Sequence, residues 1–374
     1  MALHWSMRNV MGMEAGNVWW SASDIGWVVG HSFTTYAPLL VGCATVLFEG
    51  KPVGTPDASQ YWRLVEKYGI NAIFTAPTAV RAIKQHDAEG KLSKDFDLSS
   101  LKATFVAGER CDPNTLQWME AATGRPVLDN WWQTETGWPI SGNLVGLEGF
   151  IPVKQGSVFR PVPGYDLQVV DEETHEPVKP GTLGQLVIKL PLPPGTVKTL
   201  LHNDERFLEA YMAKFPGFYD TGDAGIIDED GYVHIMSRTD DVINVAAHRL
   251  SSGEMEEILA DHKDVAEAVV IGCRDSLRGQ VPLGMVVLNH NCTTDMPTIQ
   301  KELVQMVRDR IGPVACFKQC VQVDRFPKTR SGKILRGTLR KIADGQPYAI
   351  PATVDDPLIF EEIEVIVAEH STYS

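Results

Sequence analysis

The feature that most constrains the fold is a regular alternation of amphipathic helices with short β-branched runs between about residues 59 and 132. Parallel strands need a crossover between them, and the crossover is usually a helix. The alternation therefore predicts an α/β fold built on a mostly parallel sheet. The predicted strands are 71–75, 103–107 and 126–129, and the predicted helices are one that carries Tyr61, Trp62, Leu64 and Val65, one that begins at Pro77, and one that begins at Pro113 after the cap Asp112.

The pattern changes between about residues 156 and 238, where helical spacing becomes scarce and turn dipeptides recur. The dipeptides are Pro163-Gly164, Pro180-Gly181, Pro194-Gly195 and Asp230-Gly231, the last lying between two β-branched runs. We interpret this region as a small β subdomain of the larger, N-terminal domain.

A third pattern begins after the polar junction Thr239–Asp241, where we place a domain boundary. We predict a large domain over 1–239, a smaller α+β domain over 240–345 and a tail over 346–374. The smaller domain is predicted to hold a helix capped by Ser251 and Glu254, strands 265–273 and 281–288, and a helix 298–311 whose buried face is Ile299, Leu303, Met306 and Ile311.

Composition excludes several classes of protein. The 374 residues suit two or three domains, and the formal net charge of −14 makes nucleic acid and anionic membranes unfavourable partners, so an anion must bind at a local basic site. No run of 18 apolar residues or targeting leader is found. The six cysteines are scattered without a C-x-x-C pair, which favours a reducing compartment over a disulfide framework or a zinc site.

The segment Trp131–Gly137 follows a predicted strand, at the position where open α/β sheets place ligands. Thr134 is a candidate donor to a phosphate oxygen, and Glu135 is a candidate Mg²⁺ ligand because Mg²⁺ prefers oxygen donors. The alternative interpretation is a structural loop with two buried tryptophans.

The segment Tyr219–Asp223 contains a carboxylate suited to the two hydroxyls of a ribose, and Arg238 could add a donor. The alternative is an ordinary turn in which Asp223 caps backbone amides.

Two further segments supply positive charge. Arg249 is a candidate phosphate contact, whereas His248 alone is more typical of a structural histidine. Lys333 lies in the glycine-containing loop Pro327–Lys333 and offers a compact charge for a phosphate or a developing transition state. The loop lacks the spacing of a phosphate-binding P-loop, and a solvated surface loop is the alternative.

Taken in order, the segments 131–137, 219–223, 237–250 and 327–336 resemble the adenylate-forming superfamily, and most closely its short-chain acyl-CoA synthetases of the acetyl-CoA and propionyl-CoA synthetase type. The tail from Arg340 to about Pro357 resembles propionate-type members. The resemblance implies that the chain is part of an ATP-dependent acid–thiol ligase. Such an enzyme has a large AMP-binding domain and a smaller C-terminal domain. Its substrates would be a short carboxylate, ATP with Mg²⁺, and coenzyme A.

The resemblance also implies a role for each candidate residue. Lys333 would be catalytic, Glu135 would bind Mg²⁺, and Asp240 would be the hinge of the C-terminal domain. The remaining implied contacts are Gly108 and Glu109 with adenine, Asp223 and Arg238 with the ribose, Thr134 and Arg249 with phosphates, and Ala247 and Arg308 with coenzyme A. Ala247 departs from the family, which usually has glycine there, and a methyl group is expected to narrow the pantetheine channel.

The implied acyl pocket consists of Val28, Val29, Ala107 and Trp132. Acetate-specific relatives usually carry valine where this chain has Ala107, so the pocket is expected to be larger and to favour propionate, while Trp132 still excludes long chains. The alternative is that Ala107 is a small residue packed under a helix.

The family's phosphate loop normally precedes the segment equivalent to residues 3–7, so we expect this chain to be an N-terminally truncated enzyme with impaired adenylation. An acetyl-CoA synthetase and a non-catalytic nucleotide-binding or interaction fragment are the alternatives. We also expect self-association through a truncated sheet edge, and location in the mitochondrial matrix or the cytoplasm.

Overall fold

The computed structural model describes residues 1–246, 248–289, 292–329, 333–351, 354 and 356–370. The chain divides into two compact units, Met1–Ile235 and Met236–Ser374. The division lies a few residues before the polar junction at Thr239.

The first unit is built on a five-stranded sheet of order β2-β1-β3-β4-β5 in which every neighbouring pair is parallel, as the helix–strand alternation predicts. Its strands are β1 (Val18–Ser21), β2 (Ala44–Thr45), β3 (Ala72–Thr75), β4 (Ala103–Val106) and β5 (Val127–Asp129). The helices are α1 (Ala2–Asn9), a π-helix (Gly30–Tyr36) that continues into α2 (Ala37–Val41), α3 (Gln60–Tyr68), α4 (Pro77–His86), a 3-10 turn (Leu92–Asp95) and α5 (Pro113–Thr123).

Local sequence explains where these helices begin and end. Pro77 and Pro113 occupy first turns, where no backbone donor is lost. The Asp112 side chain accepts a hydrogen bond from the Thr115 amide at 2.9 Å, and Gly124 ends α5 with φ +65°. The two predicted helix starts are thus confirmed.

The central strands are buried on both faces because helices cover both sides of the sheet. Trp19, Phe74 and Phe105 belong to one apolar core, whereas their chain neighbours Trp20 and Ile73 belong to a second core on the opposite face. Successive side chains of a strand point to opposite faces, so each strand contributes to both cores.

The remainder of the first unit is mainly antiparallel, as the recurring turn dipeptides predict. A four-stranded sheet has the order β11-β10-β9-β8, and β6 pairs with β7. The elements are β6 (Ser141–Gly142), α6 (Val145–Glu148), β7 (Arg160–Pro161), β8 (Leu167–Val170), β9 (Gly184–Lys189), α7 (Asp204–Tyr211), β10 (Phe218–Ile227) and β11 (Val233–Arg238).

In the described part of the second unit, four helices surround a mixed sheet of order β13-β12-β15-β14, with β16 parallel to β15. Helices α8 and α9 pack on one face, and α10 and α11 pack on the other. After a 3-10 turn (Thr239–Asp241) its elements are β12 (Ile243–Val245), β13 (His248–Leu250), α8 (Ser252–Ala260), β14 (Val265–Asp275), β15 (Gly279–Leu288), α9 (Met296–Arg310), a 3-10 turn (Pro313–Ala315), β16 (Gln319–Gln322), α10 (Arg336–Ala343) and α11 (Ile359–His370).

Two details of this unit test the sequence analysis. The Ser251 hydroxyl accepts from the Glu254 amide at 3.1 Å, which confirms the predicted cap. The predicted apolar face of α9 is confirmed, because Ile299 and Leu303 lie in the core and half-buried Met306 and Ile311 pack against it. Val307 belongs to the same core and was not predicted. Positions four residues apart lie one above the other on a helix, and Val307 continues that row.

Candidate active site

The predicted binding residues of the first unit follow two neighbouring strands of the parallel sheet. Gly108 and Glu109 come directly after β4, and the segment 131–137 comes after β5. The carboxyl ends of parallel strands share one edge of the sheet, so both loops open on that edge, where open α/β sheets bind ligands. Gly108 is exposed with φ +102°, a backbone angle that favours glycine.

Glu109 is held by two side chains of α4. Its Oε1 accepts from the Thr78 hydroxyl at 2.6 Å and from Arg81 Nη2 at 2.5 Å. Arg81 Nη1 lies 3.3 Å from Oδ2 of Asp112, the residue that caps α5. The loop after β4 is therefore attached to the helix of the preceding crossover.

Asp223 is buried at an irregularity of β10, where the register against β9 shifts between Asp220 and Asp223. Its Oδ2 accepts from Trp131 Nε1 at 3.2 Å and from Gln133 Nε2 at 2.6 Å. These contacts join β10 to the loop after β5, so the structure brings together the two segments proposed to contact the ribose and the phosphates.

Glu135 is connected to the same network through two tyrosines. The Tyr211 hydroxyl donates to Glu135 Oε1 at 2.7 Å, and the Tyr211 ring stacks on Tyr219 with centroids 5.5 Å apart and planes 8° apart. The Tyr219 hydroxyl donates to Gln133 Oε1 at 3.1 Å. One chain of contacts therefore runs from Glu135 through Tyr211, Tyr219 and Gln133 to Asp223.

Three members of this contact network have no predicted role: Gln133, Tyr211 and Tyr219. Gln133 and Tyr219 lie inside the segments singled out above, next to residues whose chemistry was more conspicuous. Tyr211 lies on α7, a helix that the turn dipeptides did not predict. The sequence near Tyr211 contains no signal that connects it with Glu135.

Thr134 is exposed between Gln133 and Glu135, on a tight turn in which the amides of Thr136 and Gly137 donate to the Gln133 carbonyl. The alternative of two buried tryptophans in this loop is only half right, because Trp131 is buried and Trp132 is half-buried. Thr134 is thus presented to solvent while its neighbours hold the loop.

Three of the four proposed acyl-pocket residues share one apolar cluster. Val29, Ala107 and Trp132 belong to the core that contains Phe33 and Phe74. The Trp132 ring contacts Phe33 edge-on with centroids 5.3 Å apart, and Ala107 is 8% exposed. Val28 is half-buried on the turn that enters the π-helix.

Two buried groups adjoin the loops after β4 and β5. Burial raises the pKa of the Asp129 carboxyl well above its usual value, against the hydrogen bonds from the Asn130 and Cys111 amides. Burial, with Asp129 and Asp112 nearby, also raises the pKa of the Cys111 thiol. The thiol is therefore a poor nucleophile, and we assign it no chemistry.

The remaining candidates lie in the second unit. The Lys333 side chain is exposed, and its backbone is fixed by two hydrogen bonds: Lys333 N donates to Thr329 Oγ1 at 3.2 Å, and Thr329 N donates to the Lys333 carbonyl at 2.8 Å. Residues 330–332 of this loop lie outside the described residues.

The other side chains of the second unit are presented at its surface. Arg249 is exposed on β13 opposite Asn244, and Arg308 is exposed in the last turn of α9. Arg238 and Asp240 are exposed, and the Asp240 carbonyl accepts from Arg340 Nη1 at 2.6 Å. Ala247, the proposed coenzyme A contact, lies outside the described residues.

The carboxylates present suit a magnesium ion that is bound mainly by the phosphates of a second ligand. Within the described ranges, no cluster of three or more His, Cys, Asp or Glu side chains could hold a metal by itself. Mg²⁺ commonly takes one or two carboxylates together with phosphates and water, and Glu135 supplies one half-buried carboxylate.

Two properties of the whole chain complete this description. All six cysteines lie in the described residues and are free thiols. Among the helices described, none combines the length and the apolar character needed to cross a bilayer.

Comparison with known proteins identifies the family. The family model for the AMP-binding enzyme matches residues 1–197, and the model for the AMP-binding enzyme C-terminal domain matches residues 254–333. The chain is 50% identical to acyl-CoA synthetase short-chain family member 3, mitochondrial, of Bos taurus, over 99% of this chain and 54% of that protein. It is 42% identical to the propionate–CoA ligase of Salmonella typhimurium, over 99% of this chain and 59% of that protein.

The fold is shared with solved CoA ligases. The crystal structure of the anthranilate CoA ligase AuaEII in complex with anthranoyl-AMP superimposes with a TM-score of 0.77 at 25% identity, covering 92% of this chain and 62% of that one. The chain thus spans little more than half the length of the curated relatives that it matches. The matched models, the relatives and the shared fold together show that this chain belongs to the AMP-binding enzyme family.

Proposed function

We propose that this chain carries the nucleotide-binding and acyl-binding machinery of an ATP-dependent acyl-CoA synthetase, an acid–thiol ligase acting on short carboxylates. The observation that carries the proposal is the path of hydrogen bonds and one ring stack that joins Asp223 to Glu135 at the ligand-binding edge of the parallel sheet. It joins a carboxylate suited to ribose and a carboxylate suited to Mg²⁺ in one network of contacts. The names of the two relatives support the same activity.

The reaction has two steps. A carboxylate oxygen attacks the α-phosphorus of ATP, so that a new P–O bond forms, the bond to the β-phosphate breaks, and pyrophosphate leaves with Mg²⁺. The thiolate of coenzyme A then attacks the acyl carbon, the C–S bond forms, and AMP leaves as the C–O bond breaks. The first step is needed because a carboxylate is a poor electrophile until one oxygen becomes part of a good leaving group.

The proposed roles combine side-chain chemistry with what the family resemblance implies. Asp223 accepts from the ribose hydroxyls with Arg238 as a further donor, Thr134 and Arg249 contact phosphates, and the loop Gly108–Glu109 lines the adenine site. Glu135 would hold Mg²⁺, which neutralises phosphate charge when bound. Lys333 stabilises the charge that develops during adenylation.

The second half-reaction is assigned to the second unit. Arg308 and Ala247 are proposed to contact coenzyme A, and Asp240 is proposed as the hinge. Arg308 is an exposed cation in the last turn of α9, and Asp240 lies in a 3-10 turn just beyond the division between the two units.

Propionate is the proposed acyl substrate, and acetate is the alternative. Ala107 lies in the same apolar cluster as Trp132 and Val29, so a larger side chain there would take space from the acyl group. One buried CH₂ is worth about 0.8 kcal/mol, or about fourfold in affinity. We expect Ala107→Val to lower the preference for propionate over acetate by about this factor, measured as the ratio of kcat/KM values. An unchanged ratio would contradict the placement of Ala107 in the pocket.

A non-catalytic nucleotide-binding or interaction protein is the second candidate function. Such a protein would have the same nucleotide contacts as the acyl-CoA synthetase but would not catalyse the reaction. AMP binding without acid-dependent ATP–pyrophosphate exchange would therefore favour this second candidate. The mitochondrial matrix and the cytoplasm are the proposed locations, and the name of the Bos taurus relative includes the word mitochondrial.

We also propose that the chain self-associates through the edge of the parallel sheet. Strand β2 ends the sheet and has two residues, while Leu39 and Leu40 on α2 are each 57% exposed. Apolar surface beside a strand edge favours association. Sedimentation should show oligomers for the native chain, monomers for Leu39→Glu/Leu40→Glu, and oligomers for the control Leu277→Glu. A monomeric native chain would contradict the proposal.

Acid-dependent exchange of pyrophosphate into ATP tests the function as a whole. Acetate, propionate and butyrate are compared, with Lys333→Ala as the inactive control. Exchange that is greatest with propionate supports the first proposal, and exchange that is greatest with acetate supports the acetyl-CoA synthetase.

A further inference from the structure

Arg81 connects three elements around the loop that follows β4. It projects from α4 and donates through Nη2 to Glu109 Oε1 and through Nη1 to Asp112 Oδ2, at 2.5 and 3.3 Å. Glu109 lies near the start of the loop 108–112, and Asp112 ends it as the cap of α5. One guanidinium therefore holds both ends of a five-residue loop.

The contacts are sheltered from solvent. The side chain of Arg81 is 20% exposed, and those of Glu109 and Asp112 are 15% exposed each. Ion pairs of this kind are screened less than surface pairs, and removal of one partner leaves the other charge poorly compensated. Burial opposes ionisation of Asp112, but Arg81 and the hydrogen bonds from Thr115 outweigh it and hold the pKa of Asp112 below its usual value.

The geometry explains why arginine is needed. A guanidinium presents donors in a rigid fork, so that one side chain can reach two carboxylates in fixed directions. A lysine carries a similar charge at a single point on a flexible stem and would hold one partner at a time.

The same contacts limit what the Glu109 side chain can do for a bound base. Its Oε1 already accepts from Thr78 and Arg81, both on α4. Gly108, directly before it, is exposed and has a positive φ, so its peptide groups are accessible polar groups beside this carboxylate. Backbone groups on a fixed loop recognise a planar base only if the loop keeps its conformation.

We propose that Arg81 is a positioning residue for the nucleotide site: with Thr78 it uses the Glu109 carboxylate to fix the loop 108–112, and the adenine is recognised by the peptide groups of that loop. The inference rests on the proposed function, since it requires that an adenine nucleotide binds at this edge of the sheet.

The test measures binding of AMP and IMP by titration calorimetry. We expect Arg81→Met to weaken AMP binding about tenfold, Arg81→Lys to restore part of that loss, and the double variant Arg81→Met/Glu109→Gln to bind no more weakly than Arg81→Met. The control Arg63→Met removes an arginine on α3 whose ion pair with Asp57 is largely exposed, and it should bind AMP normally. The ratio of AMP to IMP affinities should change alike in Glu109→Gln and Arg81→Met, since both act through the loop.

Three results of the binding titrations would overturn the proposal. Additive losses in the double variant, or an AMP-to-IMP ratio that changes only in Glu109→Gln, would mean that Glu109 contacts the base directly. We call the contacts of Arg81 with Glu109 and Asp112 the Arg81 clamp. Native AMP affinity in Arg81→Met would mean that this clamp is not needed for binding.

Amide hydrogen exchange without ligand separates this inference from the function on which it rests. Exchange of the amides at 108–112 should rise in Arg81→Met and less in Arg81→Lys, while the amides of β3 stay protected. If the native chain binds no AMP, the proposed function fails, and the role of Arg81 in nucleotide binding fails with it. This holds even if amide exchange shows that Arg81 fixes the loop. If amide exchange at 108–112 is unchanged in both Arg81 variants, Arg81 does not fix the loop, whether or not AMP binds.

Discussion

The two units present their candidate site residues in different ways. In the first unit, Glu109, Glu135 and Asp223 are each held by side chains from other elements, and Asp223 is buried. In the second unit, Lys333 and Arg308 are exposed side chains on backbone that local hydrogen bonds fix. We infer a division of labour in which the first unit supplies the held carboxylates of the proposed nucleotide site and the second supplies exposed positive charge.

This difference has consequences for mutation. Replacing a supporting residue of the first unit should disturb binding, because the site depends on its neighbours. Replacing Lys333, the exposed cation proposed to act during adenylation, should leave folding and AMP binding intact and lower only the rate of that step.

The largest expected effect is on Lys333. We expect Lys333→Ala to lower adenylation at least about 100-fold, since an electrostatic contact to the transition state is lost. AMP affinity and the free energy of unfolding should stay within about 0.5 kcal/mol of the native values, because the side chain is exposed. Pyrophosphate exchange and calorimetry measure these quantities, with the exposed Lys341→Ala as the control. An equal loss in AMP affinity would break the contrast between the units.

Gln133 is the next test, and here binding and stability should change together. Gln133→Leu removes the donor at 2.6 Å from buried Asp223 and the acceptor of the Tyr219 hydroxyl. We expect the unfolding free energy to fall by about 1–3 kcal/mol and AMP to bind about tenfold more weakly. Denaturant unfolding and calorimetry are compared with Gln168→Leu, whose amide contacts only an exposed aspartate. Native AMP affinity would show that the network does not support the site.

Tyr211 allows a finer test of the same network. Tyr211→Phe keeps the ring that stacks on Tyr219 but removes the hydroxyl that donates to Glu135. We expect the Mg²⁺ concentration for half-maximal exchange to change a few-fold, with less than about 1 kcal/mol of lost stability. The control is Tyr68→Phe on an exposed face of α3. If the Mg²⁺ concentration for half-maximal exchange does not change, Glu135 does not bind the metal.

These tests concern contacts that the sequence could not supply. Helix starts at Pro77 and Pro113 and the cap at Ser251 could be predicted because their chemistry is local. The links from Glu135 to Tyr211 and from Trp131 to Asp223 join residues 76 and 92 positions apart, and only the folded sheet places them side by side. Arg81 was overlooked for the same reason, since its partners follow a different strand.

The smallest expected effect is the response of the first unit to acid. Asp228, in the turn between β10 and β11, is partly buried, but hydrogen bonds from Lys154, the Tyr232 amide and His234 outweigh burial and hold its pKa below the usual value. A lowered folded-state pKa gives stability that is present above the unfolded-state value of about 3.9 and is lost as the pH falls through the folded-state value.

We therefore expect Asp228→Asn to flatten the acid limb of the stability curve below about pH 4, where the native chain loses this contribution. Thermal unfolding from pH 2 to 7 measures the change, with Asp166→Asn as the control. An acid limb identical to that of the native chain would mean that Asp228 does not support β10.

The central claim is that the two units together activate a short carboxylate with ATP. The direct measurement is acid-dependent ATP–pyrophosphate exchange, made with this chain and with the chain joined to the part of the Bos taurus relative that it does not match. We predict exchange that is greatest with propionate in the joined protein, weaker in this chain alone, and abolished by Lys333→Ala. No acid-dependent exchange in either protein, with AMP binding retained, would contradict the account and leave a nucleotide-binding protein without this chemistry.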